Sequence, residues 1–138
     1  MLSQTENLNV TAKNILKNIL SMMNTSDELS NSTLGNINSS EGSRKIDTIN
    51  YYTYKGIRNL INSLPELSKY KSYWDEEYDF WEKRNQTMLK NILKFTKSYS
   101  GKKIVVLCGF AHKNLLVRGL KKSSHSGKDK LIINDLFK

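Results

Sequence analysis

Apolar residues recur through residues 12–23 at Ile15, Leu16, Ile19, Leu20 and Met23, the spacing of one face of a helix. Thr11 stands where an N-cap would. The pattern then stops: from Asn24 to Ser43 the chain is largely Ser, Asn, Thr and Gly, which predicts a long polar loop or a disordered linker. Helical spacing returns over residues 46–64 through Ile46, Ile49, Ile57, Leu60, Ile61 and Leu64, and Pro65 should end that helix or open the next turn.

The clearest helix is Trp74–Tyr99. Its acids come first (Asp75, Glu76, Glu77, Asp79) and its lysines last (Lys90, Lys94, Lys97), in step with the helix macrodipole, and Gly101 supplies a stop. Lys102–Cys108 is a continuous β-branched apolar run behind two lysines, the pattern of a strand buried on both faces. Gly109 to His112 turns the chain, and Lys113–Lys122 carries Leu115, Leu116 and Leu120 as a second helical face. Ser123–Asp129 reads as a polar loop and Leu131, Ile132 and Ile133 as a last strand. The predicted fold class is therefore α/β: a helix-rich N-terminal part followed by a helix–strand–helix–strand unit. The domain map that follows is a helix plus linker over 1–45 and an α/β unit over 46–138.

Composition adds limits. A chain of 138 residues, 38% hydrophobic and 25% charged, is long enough for one domain. No apolar run approaches the roughly 18 residues of a membrane span, and residues 1–7 lack the basic and apolar regions of a signal peptide, so a cytoplasmic protein is expected. One cysteine, Cys108, rules out an intrachain disulfide, and its place in the apolar run predicts an inert core thiol. The net charge of +9 is uneven: residues 1–81 hold 8 Lys/Arg against 10 Asp/Glu, and residues 82–138 hold 14 against 3. With no Arg-rich run, recognition helix or RNP-like strand, a solvated lysine face is favoured over a nucleic-acid surface.

On a helical wheel centred on Trp81, Met88, Ile92 and Phe95 fall within about 40° of the apolar centre, with Arg84 and Asn85 about 60° and 40° to either side of it. Buried there, both need partners. They either satisfy neighbouring groups structurally or point at a ligand, and spacing leaves the two readings even. His112 follows a strand end and a glycine and opens a helix, where ligands of open α/β sheets bind and where the imidazole should be neutral. A histidine that merely caps the helix fits as well. Glu82 lies about 100° from the stripe centre and either flanks Arg84 or faces water. His125, among serines, reads as solvated. Because the helix from Asn85 to Ser98 and the return strand from Lys103 to Gly109 have nearly equal lengths, about 20 Å each, the Arg84–Asn85 level should meet the Gly109–His112 turn in one pocket.

Trp81, Glu82, Lys83, Arg84 and Asn85, then Met88, Asn91 and Ile92, then Gly101–Leu107, then Gly109, Phe110, Ala111 and His112 resemble, in order and spacing, the C-terminal half of the TraB/Tiki-like superfamily. That group includes erythromycin-esterase-like and ChaN-like proteins, and the resemblance is to a bacterial branch of it. It covers about residues 74–122. It implies an α/β fold of two similar halves with a pocket between them, metal-dependent protease or other hydrolase chemistry, and site positions at Arg84, Asn85, Gly109 and His112, with Glu82 as an acid and His112 as the ligand of a divalent metal. No second Gly-x-x-His precedes residue 109, so half of the implied site is absent and a truncated domain is expected, completed by a missing N-terminal half or a second copy. Its substrate, small molecule or peptide, is not specified. Two functions follow as expectations: a partial hydrolase domain without independent catalysis, or a non-catalytic binding or regulatory module that uses the basic C-terminal half toward an acidic partner or nucleic acid.

Overall fold

Asn9 opens the first helix: its side-chain oxygen accepts from the Ala12 amide at 2.8 Å, so the cap lies two residues before Thr11. In the computed structural model, which describes residues 8–126 and 131–134, this helix, α1, runs Val10–Ser30. It continues through the stretch whose composition suggested a loop. The polar side chains there bond back to helix carbonyls, Thr25 to Ser21, Ser30 to Ser26 and Asn31 to Asp27, while Leu29 is buried. Thr33 then caps α2 (Leu34–Asn38), and Ser39 caps α3 (Ser40–Asn50). The loop expected over residues 24–43 is thus mostly helix. Ser, Thr and Asn were read as breakers, yet here they serve as caps and as donors to the preceding turn.

A π-helical turn, Tyr51–Gly56, joins α3 to α4 (Ile57–Ser63) without a break in the helical path. Pro65 opens a 3-10 turn, Pro65–Tyr70, as its missing N–H allows. The long α5 (Lys71–Ser98) follows, and α6 (Phe110–Ser126) comes last. The chain divides into two units, residues 1–80 and 81–138, with the boundary inside α5. In the first, α1 packs on α3, the π turn and α4 around buried Ala12, Leu29, Ile46, Leu60 and Ile61. Arg58 on α4 bonds to Asp75 on α5 at 2.5 Å and lies over the Tyr78 ring at 4.7 Å.

The second unit corrects the predicted fold class. Among the described residues there is no strand, so the chain is all-α and not α/β, and the two-half α/β architecture implied by the resemblance is not formed. Residues 103–109, like residues 131–134, lie in neither helix nor strand. A β-branched run favours an extended backbone, but a strand also needs a neighbour, and one or two isolated strands are marginal in water. The run expected to be buried is exposed, Cys108 included. The helix expected over Lys113–Lys122 is longer at both ends. The loop expected over Ser123–Asp129 is helical through Ser126, and its residues 127–129 lie outside the described residues, as does the side chain of His125.

One expectation about the path survives without the sheet. Gly101, at φ 75, turns the chain after α5, and the extended segment carries it back. Pairing of Asn85 with His112, and close approach of Leu89 to Gly119, show α6 running beside α5 in the same direction. A Cβ at Gly119 would come within 2.5 Å of a Leu89 methyl, so the bare glycine lets the two helices close.

Candidate functional site

The second unit is centred on three side chains from two helices. Trp81 on α5 is buried, with its neighbour His112 in the first turn of α6. Their rings stack at 4.7 Å between centroids and 24° between planes. Asn85, one turn along α5 from Trp81, donates from Nδ2 to the Trp81 carbonyl at 2.8 Å. A carbonyl can only accept, so this bond fixes the amide and turns Oδ1 toward His112 Nδ1, 2.8 Å away. Nδ1 must therefore carry the proton and donate, and the neutral imidazole keeps its lone pair on Nε2. Among the described residues Nε2 has no protein partner, nor is it sealed from solvent. Burial pushes the His112 pKa below its ordinary value, and the positive charge of Arg84 acts in the same direction.

The helix wheel placed Arg84 and Asn85 on opposite shoulders of the buried stripe. Only the Asn85 shoulder is covered. Asn85 is half-buried and bonded to His112, whereas Arg84 is exposed and reaches His112 only through its field. Glu82 is exposed, and so is Gly109, whose carbonyl accepts from the His112 amide at 3.0 Å. The buried face of α5 is rotated toward Asn85 and Leu89 because α6 packs on that side, and Phe95 on the other side is left out. Asn85 and His112 thus converge, but in a helix–helix contact and not at a sheet edge.

What this cluster can do chemically follows from its atoms. It offers one neutral ring nitrogen, a depressed pKa and a flat aromatic wall. No group of three or more His, Cys, Asp or Glu able to hold a metal occurs among the described residues. Its clearest role is to lock the first turn of α6 onto α5.

A second surface was not anticipated. The extended run Ile104–Leu107 and the α5 residues Ile92, Phe95 and Tyr99 line an open apolar groove of about 400 Å³. Phe95, Tyr99, Val105, Leu107 and Phe110 are all well exposed, and Lys102 and Lys103 directly precede the run in sequence. The apolar run in the sequence was itself the signal, but exposure could not be read from it. No family model matches the chain, and neither a curated protein nor a solved structure is found to resemble it. No helix among the described residues is long and apolar enough to cross a membrane.

Proposed function

We propose that the chain is a non-catalytic binding module whose C-terminal unit engages an acidic polypeptide. One observation carries the reading: a contiguous apolar surface, Ile104–Leu107 with Phe95 and Tyr99, stands exposed inside the most basic part of the chain. Exposed large apolar patches rimmed by charge mark interaction sites more often than they occur by chance. A basic surround favours an acidic partner, by steering encounter and by opposing basic competitors. The Trp81–His112–Asn85 lock supports the same reading, because it holds the first turn of α6 against α5 and so anchors the Cys108 end of the groove-lining segment.

The test is selection of a random 12-residue phage-displayed peptide library on the immobilised full chain. Counter-selection uses Leu107→Lys, a change at a residue 92% exposed. Enrichment of peptides with an apolar core and acidic residues, with binding that weakens as salt rises, is the expected result. Enrichment of basic or neutral sequences indifferent to Leu107→Lys, or tighter binding of a DNA duplex than of any peptide at the same salt, overturns it. Hydrolysis of a peptide or ester by the full chain that disappears in His112→Gln would carry the hydrolase reading in its place.

A further inference from the structure

Resting on that reading, we infer that Lys103–Cys108 is a docking strand. It pairs edge to edge with an extended apolar segment of another polypeptide whose flanks carry Asp or Glu.

The first support is the alternation of exposure along the run. Ile104 and Val106 are 39% and 43% exposed, while Val105 and Leu107 are 74% and 92% exposed. That is the two-residue period of a strand, with one face less exposed than the other. All four residues share one groove with Ile92, Phe95 and Tyr99, so α5 backs the segment. The alternation a strand would show is present before any second strand arrives.

The second support is the backbone. Among the described residues, the amides and carbonyls of residues 103–108 make no hydrogen bond; the turn bonds flanking them are Lys102 N to Tyr99 O and His112 N to Gly109 O. Unpaired, non-helical and apolar, the segment has the chemistry that strand addition uses: main-chain bonds supply affinity, and alternate side-chain pockets supply specificity. From Ile104 to Leu107 it also lacks the proline or inward charge that protects natural sheet edges.

Charge decides the occupant. Lys102 and Lys103 stand at one end of the run, and Lys113 is near enough to the other for its charge to act on the Cys108 thiol. A second copy of the chain would bring another unit with 14 Lys/Arg against 3 Asp/Glu up to the same edge. An acidic-flanked strand instead places carboxylates beside lysines at both ends. The six residues span about 20 Å at roughly 3.3 Å per residue, enough for a partner run of five or six residues.

The experiment begins with the most enriched acidic peptide from the selection, made in synthetic form. Alternate backbone amides are N-methylated in two versions, each blocking one edge of the extended peptide. Affinity for the full chain should fall more than ten-fold in one version and little in the other. The amides of residues 103–108 should gain protection from hydrogen exchange when the unmodified peptide binds. Equal tolerance of both versions, or selected peptides that bind as helices, overturns strand addition and leaves the binding reading standing. Self-association of the free chain that is lost in Leu107→Lys also overturns it, in favour of a second copy. If no acidic peptide is enriched, the binding reading itself falls.

Discussion

Replacing Asn85 with aspartate should reverse the sign of the pH dependence that His112 gives to stability. In the native chain the folded imidazole has a lowered pKa, through burial first and the Arg84 charge second. The unfolded chain therefore binds more protons over the window between that lowered value and about 6.5. Stability from this group is fully present above about 6.5 and is lost as pH falls through the folded pKa. Aspartate keeps an acceptor 2.8 Å from Nδ1 and makes it anionic. A hydrogen bond between neutral groups contributes about 0.5–1.5 kcal/mol and one to a charged group about 1.5–3 kcal/mol. Asn85 is only half-buried and solvent screens the pair, so the gain for the imidazolium is near the lower difference, about 1 kcal/mol. That gain opposes the burial and Arg84 contributions and raises the pKa. Where it carries the folded pKa above the unfolded one, the contribution becomes stability present at low pH and lost as pH rises. At pH 8 Asn85→Asp should be less stable by about 1 kcal/mol, because the Nδ2 bond to the Trp81 carbonyl is gone. At pH 5.5 the deficit should vanish or reverse. Proton NMR titration of the His112 ring, with His125→Gln to remove the second histidine signal, combined with urea unfolding at the two pH values, reads both effects. A native His112 that titrates above 6.5, or an Asn85→Asp deficit that grows as pH falls, would refute the hydrogen-bond assignment.

Gly42→Ala should lower stability by about 1–3 kcal/mol in thermal or urea unfolding, because its Cβ would meet the Ile37 carbonyl oxygen at 2.7 Å and crowd the Asn36 carbonyl. Trp81→Ala should cost about 3–5 kcal/mol and release the His112 pKa toward its ordinary value in the same NMR titration, whereas Trp81→Phe should retain most of both. Leu107→Lys should leave unfolding within about 0.5 kcal/mol of the native chain, since the side chain is almost wholly exposed.

The helices around Ile15–Leu20, Ile46–Leu64 and Trp74–Tyr99 were legible because their apolar residues repeat at helical spacing and Pro65 and Gly101 punctuate them. The helices within residues 24–43 were not, since Thr33, Ser39 and Asn31 look alike as loop residues and as caps until the neighbouring backbone is known. At the candidate site, the matched lengths of Asn85–Ser98 and the return segment placed Asn85 beside His112, where the structure has it. The side of α5 that α6 would cover was not available from the wheel, so Arg84 and Phe95 were expected inside and lie outside. The larger error came from Ile104–Leu107. Local propensity favours an extended backbone there, but burial and pairing depend on a partner that no residue pattern in this chain supplies.

Native-state hydrogen exchange resolved at the amides of residues 103–108 tests the central claim most directly. An extended edge left open for a partner strand should exchange within about ten-fold of the unfolded rate in the free chain, while α5 amides near Trp81 are strongly protected. Protection of residues 103–108 by more than about a hundred-fold in the free chain would mean that these amides are already paired, and the open docking edge would not exist.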